Sequence, residues 1–321
     1  MAEAVARLAE IYTAFAKQEV AERSPLYVEF CLGVAGNAAL LERLAGLPLE
    51  KQQPNLLLAA VKYLFGTARD WPRFREWIEN NWPAVEALIR ARRTQTNEPA
   101  RCATLLPLLA RLPQPLALLE VGASAGLCLL PDRYAYDYGG TIIAPTDGGS
   151  DAPVFHCNAN TATPLPERNV EVAWRAGLDL KPLDISCEED VRWLEALVWP
   201  GEGDRQRLLG EALAIARRDP PRLVRGDLRR DLGALAAQAP RQATLVIFHT
   251  AVLAYVREAA DRLAFADTVR GLNAQWISNE SAKLLAGPDD PPAPWGRFLL
   301  ALNGRPVAFA DPHGASVDWL A

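Results

Sequence analysis

The apolar residues change their spacing once along this chain, around Leu112-Pro-Gln-Pro115, and that change limits the possible folds more than any other feature. Before it, apolar side chains recur at helical intervals. Val5, Leu8, Ile11, Tyr12 and Phe15 make one stripe, and 56–65, 74–89 and 102–112 make others, punctuated by Pro25, Pro48, Pro54 and the Asp70-Trp71-Pro72 turn. After it come short apolar runs bounded by Gly, Asp and Pro, which read as strands at 116–121, 170–175, 222–225, 244–249, 275–278, 297–302 and 306–310. Helical patterns at 188–198, 204–217, 228–238 and 257–271 fill the gaps. Strands alternating with helices predict a parallel sheet covered on both faces. Asn303-Gly304 is a hairpin turn signal, so the sheet should close with an antiparallel pair. The segment 131–169 is too rich in Pro and Gly for a helix and reads as an inserted hairpin and loop. The expectation is therefore an all-helical region over 1–112 and an α/β, Rossmann-like seven-stranded domain over 113–321.

Composition excludes several classes. The 321 residues are half apolar, and 34 Lys+Arg against 39 Asp+Glu leave a net charge of -5, which argues against nucleic acid as a partner. Five dispersed cysteines fit neither a disulfide framework nor a thiolate zinc site. His156-Cys157 and Asp311-Pro-His313 are too sparse for a metal centre. No signal peptide or membrane-length apolar run is visible, so a soluble, cytoplasmic chain is expected. The oligomeric state is not legible.

The sharpest local feature is a buried-strand pattern that runs into a turn of small residues, Leu118-Leu-Glu120-Val-Gly122-Ala-Ser124-Ala-Gly126, and then into what reads as an apolar helix start. Small residues let a backbone approach a ligand, and a following helix would offer free N–H groups. The same string also fits the G-x-S-x-G elbow of serine hydrolases, with Ser124 as nucleophile and Asp227 or Asp289 followed by His313 in chain order. A strand-to-helix turn without a ligand is the plain alternative. Glu120, an acid at the end of a strand, needs a hydrogen-bonding partner that a bound amine or hydroxyl would supply.

These residues, with Asp132-Arg-Tyr-Ala-Tyr-Asp-Tyr138, Arg175-Ala-Gly-Leu-Asp-Leu-Lys-Pro-Leu-Asp184 and Trp193-Leu-Glu-Ala-Leu-Val-Trp-Pro200, resemble the bacterial family called domain of unknown function 2332. The resemblance runs over nearly the whole chain and carries no established reaction. The α/β part is in turn similar to class I S-adenosylmethionine-dependent methyltransferases, in which an acid and a glycine turn after the first strand hold the methionine portion of the cofactor. That resemblance implies cofactor roles for Glu120, Gly122, Ser124 and Gly126, with Asp179 at the ribose and Asp227 near the adenine. Asp179 lies well beyond the usual spacing of about 20 residues, so Asp147 is its rival. Both Asp179 and Asp227 would also serve as ordinary turn or cap residues.

Phe248-His249-Thr250 resembles the segment that places a His at the mouth of methyl transfer. His249 is thus expected to face the cofactor methyl and act as base, unless it is a hydrogen-bonded junction residue. Asn97, Glu98 and Arg101 precede the last helix before the sheet and are expected to line the mouth as a substrate lid, or else to cap that helix. The function predicted is methyl transfer from S-adenosylmethionine to a small molecule. The alternatives are a non-catalytic ligand-sensing or interaction protein and a serine hydrolase.

Overall fold

Proline and capping residues set the helix boundaries of the first third as the pattern predicts. The computed structural model describes residues 1–149, 151–285 and 292–320. Helices span Ala2–Gln18, Pro25–Ala35, Ala38–Ala45, Pro54–Phe65 and Trp71–Ala91. Two of them open on proline, whose missing N–H costs nothing in a first turn. Asn37 and Asp70 accept from the backbone N–H groups of Leu40 and Arg73 as N-caps. The longest helix kinks at Asn81, because Pro83 cannot donate and its ring crowds the preceding turn.

Two compact units result: 1–96 with 187–207, and 97–186 with 208–321. The boundary thus falls before Asn97 rather than at 112. Helix Arg101–Leu109, buried along its whole length, belongs with the sheet, while helix Glu188–Leu197 joins the helical unit.

The second unit holds twelve strands among the described residues: β1 (Leu116–Val121), β2 (Ala135–Asp137), β3 (Ile142–Ile143), β4 (Val154–His156), β5 (Asn158–Ala159), β6 (Val172–Asp179), β7 (Arg222–Arg225), β8 (Thr244–Thr250), β9 (Gln275–Ser281), β10 (Phe298–Leu302), β11 (Arg305–Ala310) and β12 (Ser316–Trp319). Nine form one mixed sheet in the order β5-β12-β11-β10-β9-β8-β1-β6-β7. The sheet therefore has nine strands rather than the seven expected. All seven expected runs are in it, and β12 with the short β5 extends the antiparallel side, where β5 from the insertion pairs parallel to β12. From β7 to β9 the strands are parallel, and the order reverses at β1, which lies between β6 and β8. Beyond β9 a meander of antiparallel strands continues. Its β10–β11 turn has Asn303 at φ 52° and Gly304 at φ 80°, the two positive values that a type I′ hairpin requires.

The segment 131–169 is an insertion with its own small sheet, β3-β2-β4. Three buried tyrosines pin it: the hydroxyls of Tyr134, Tyr136 and Tyr138 donate to the carbonyls of Leu127, Pro131 and Ala103. On one face of the main sheet, Leu119, Val121, Ile247 and Trp276 share a core with Phe265 from helix Ala259–Arg270. Strand alternation puts Glu120, Phe248, Thr250, Ile277 and Asn279 on the opposite face.

Candidate functional site

Ligands in open parallel sheets bind beyond the carboxyl ends of the strands where the order reverses, which here is the end of β1. Glu120 sits there, 2% exposed. Its Oε2 has no hydrogen-bond partner among the described residues. Burial pushes its carboxyl well above the usual range, and the neighbouring Cys128 and Asp179 add to this while Arg101 opposes it.

The turn that follows is left-handed at alternate positions, with φ of 74° at Gly122, 51° at Ser124 and 75° at Gly126. A Cβ on Gly122 would stand 2.3 Å from Val252 Cγ2, and one on Gly126 would stand 2.7 Å from Pro221 Cγ. These glycines therefore make room for the protein's own side chains in the direction a Cβ would take. Ser124 holds its uncommon conformation because its N–H donates to Asp179 Oδ2 at 2.9 Å, while the Gly122 N–H donates to the carbonyl of Leu178 at 2.7 Å. After Gly126 comes a single 3₁₀ turn, Leu127–Leu129, not the expected α-helix, so no helix dipole points at this place. Three leucines and a cysteine after a glycine imitate a helix start in sequence, but Pro131 ends the run.

The other expected residues separate into two groups. Asp227 is fully engaged: Arg229 donates to both its oxygens, and that guanidinium holds the carboxyl down at about 2. Asp147 is paired with Arg133 at 2.7 Å and caps the Gly149 N–H. Asp179 accepts one N–H on each oxygen, from Ser124 and from Lys181. His249 does not face an open mouth. It is fully buried against Phe265 and Trp276, its Nδ1 bonds Glu280 Oε1 at 2.7 Å, and its Nε2 accepts from Trp276 Nε1 at 3.0 Å. Because Trp276 can only donate, Nδ1 carries the imidazole proton and no nitrogen is left to serve as base. The structure thus corrects the expected orientation of His249 to that of a junction residue.

Asn97, Glu98 and Arg101 are buried parts of the sheet unit rather than a surface lid. Asn97 Oδ1 accepts from the Leu127 N–H at 2.8 Å and so caps the 3₁₀ turn, an element thirty residues away from it in sequence. Glu98 accepts from the Ala100 N–H and stands 3.8 Å from His313. Arg101 reaches across to Thr250 at the end of β8, with Nη1 3.2 Å from Oγ1. For the hydrolase arrangement, Asp227 is held by Arg229 and Asp289 lies outside the described residues.

Two residues not singled out in the sequence complete the edge. β9 runs on through Ser278-Asn279-Glu280, where the apolar run had seemed to stop. Glu280 Oε1 accepts from His249 and from the N–H groups of Val252 and Leu253, while its Oε2 has no partner among the described residues. Asn279 is 0% exposed, with neither amide atom bonded among the described residues. The signal that picked out Glu120, a polar residue closing an apolar strand, would have found both. Tyr255 lies at this edge: the residue is more than half exposed, and Arg101 and Glu280 act electrostatically on its phenol. Among the described residues no cluster of three His, Cys, Asp or Glu is placed to hold a metal, and no helix is long and apolar enough to cross a membrane.

No curated protein and no solved structure matches this chain significantly. The family comparison does match, over residues 9–319, with the family described as an uncharacterised protein conserved in bacteria, domain of unknown function 2332. A match of that length covers both the helical unit and the sheet with its insertion, and the chain belongs to that family.

Proposed function

We propose that the chain binds S-adenosylmethionine at the end of β1 and transfers its methyl group to a small molecule. The observation that carries this reading is Glu120, a buried carboxylate with an unpartnered oxygen at the switch point of a parallel sheet. Such a group is costly to leave empty, so an ammonium that pairs with it gains more than the same pair would in water. The amino-acid end of the cofactor fits on that ground. Asp179 is the residue for the ribose, since it closes β6, the strand next to β1, and its Oδ2 fixes the Ser124 turn beside Glu120. Asp227, held by Arg229, and Asp147, held by Arg133, are left as turn residues. The seven central strands supply the Rossmann-like, methyltransferase-type frame of this reading, with β5 and β12 as additions.

When bound, the cofactor would supply an electrophilic methyl on a sulfonium. What the chain does is position and exclude water. Glu120 anchors the charged end, the Ser124–Asp179 bond fixes the turn beside it, and Glu280 holds the backbone of Val252 and Leu253 over the edge. Since His249 has no free nitrogen, the acceptor arrives with its nucleophilic lone pair available rather than being deprotonated by an imidazole. That same engagement of His249 favours a second reading, a ligand-binding protein without turnover.

Incubation with S-adenosylmethionine labelled in the methyl group and a bacterial small-molecule extract tests this. Label should appear in an extract component and depend on Glu120. Binding of the cofactor without any transfer would select the second reading, and absence of binding would refute both.

A further inference from the structure

Arg101 is 7% exposed, and its bonds go to neutral oxygens: Nε to the carbonyl of Pro312 at 2.8 Å, and Nη1 to the carbonyl and hydroxyl of Thr250 at 3.3 and 3.2 Å. Among the described residues it forms no ion pair, and its Nη2 makes no hydrogen bond. The buried carboxyl of Glu120 lies within its electrostatic reach, but burial opposes the ionisation of that carboxyl, so a buried guanidinium that bonds only neutral oxygens points to an anion that completes it.

Asn279 supplies the second, independent observation. Its Cα is the register partner of Thr250 on the adjacent strand, so its side chain rises from the same face of the sheet beside the residue that Arg101 grips. Both ends of its amide are buried and unbonded. Two polar side chains, one from the helix Arg101–Leu109 and one from β9, are thus both placed against Thr250, the first by hydrogen bonds and the second by strand register.

We propose that Arg101 and Asn279 form a subsite for a carboxylate, and that this carboxylate belongs to the methyl acceptor. The second half of that statement rests on the methyl-transfer reading; the first does not. A planar monoanion suits the pair, because one oxygen can take the free Nη2–H and the other the Asn279 amide N–H. A phosphate suits it less, since Glu98, Glu120 and Glu280 already put carboxyl groups around this edge and would repel a second negative charge. Glu120, two residues earlier in level than Thr250 and one strand further across, is left for the cofactor's ammonium.

Thermal melts of the full chain in acetate and benzoate, against benzamide, phosphate and chloride at equal ionic strength, test the subsite. Both carboxylates should raise the melting temperature by a few degrees, the controls should not, and Arg101→Gln should lose the response. Asn279→Leu, close to the same size, should raise the ligand-free melting temperature by removing two unsatisfied atoms, and should also lose the response. The subsite is overturned if neither carboxylate acts on the native chain, if Arg101→Gln responds equally, or if Asn279→Leu melts lower because ordered water had satisfied the amide.

Calorimetry with S-adenosylhomocysteine separates this from the cofactor reading. Asn279→Leu should change its affinity by less than about twofold. An equal loss of carboxylate response and cofactor affinity would assign the carboxylate to the cofactor and overturn the acceptor role. Failure of the native chain to bind S-adenosylhomocysteine, with the carboxylate response intact and dependent on Arg101, would instead remove methyl transfer and keep the anion subsite.

Discussion

Glu120 ends β1 and Asp227 follows β7, so the two acids stand at the same edge of one sheet, yet the protein treats them in opposite ways. Asp227 has a guanidinium within its own turn, and its charge is fully answered. Glu120 has an oxygen that nothing answers, and its neighbours raise the cost of charging it. The difference teaches that a position at the ligand edge does not by itself make a ligand residue. A polar group whose partners lie inside the chain stabilises the fold, and one whose partners are absent is spending stability on something that arrives later. His249 falls with Asp227, while Asn279 falls with Glu120.

Substitutions should divide along the same line. The largest loss is expected at His249→Ala, which opens a void beside Phe265 and strands the Trp276 N–H, costing about 3 kcal/mol. If denaturant unfolding showed a cost near zero together with a loss of turnover alone, His249 would belong with the ligand residues. Gly122→Ala comes next, at about 2 kcal/mol, since the methyl would collide with Val252 on a left-handed backbone. Val252→Ala in the same chain should recover the steric part and leave the backbone part. A double variant no more stable than the single one would show that the turn's close approach to Val252 is not what its glycine serves.

Asp227→Asn is expected to lower the melting temperature by only about 2 °C, because Arg229 is half exposed and water screens the pair. Its effect has a defined pH window. An Asp held at about 2 in the folded chain, against about 3.9 unfolded, contributes stability that is present above pH 4 and is lost as pH falls toward 2. Native and Asp227→Asn melting temperatures should therefore converge over that interval.

Glu120→Gln should act in the other direction, raising stability rather than lowering it. A carboxyl whose folded value is raised costs nothing below its unfolded value of about 4.3 and costs progressively more as pH rises above it. The variant should match the native chain near pH 4 and melt higher at pH 7, with the difference growing over that interval. A lower melting temperature at both values would move Glu120 into the class of Asp227.

Much of this edge was legible before any coordinates. The seven strand runs, the Asn303-Gly304 hairpin and the insertion follow from apolar period and turn chemistry, which are local properties. Glu120 was legible because an acid closing an apolar strand breaks a local rule. What was hidden depends on partners distant in sequence: Asn97 caps a turn at Leu127, and His249 is satisfied by Trp276 and Glu280 on the next strand. Asn279 and Glu280 were lost for another reason, since Ser278-Asn279-Glu280-Ser281 looks like the polar end of a strand when β9 in fact carries it inward. The α-helix expected after Gly126 failed because Leu127 to Leu130 are apolar for burial in an irregular segment.

The most direct test of the central claim is a calorimetric titration of S-adenosylhomocysteine into the native chain and into Glu120→Gln at pH 7. The account predicts saturable binding to the native chain, and a loss of roughly 100-fold or more in Glu120→Gln, as expected for an ammonium deprived of a buried carboxylate. Equal affinity of the two proteins, or no heat with the native chain, would contradict it.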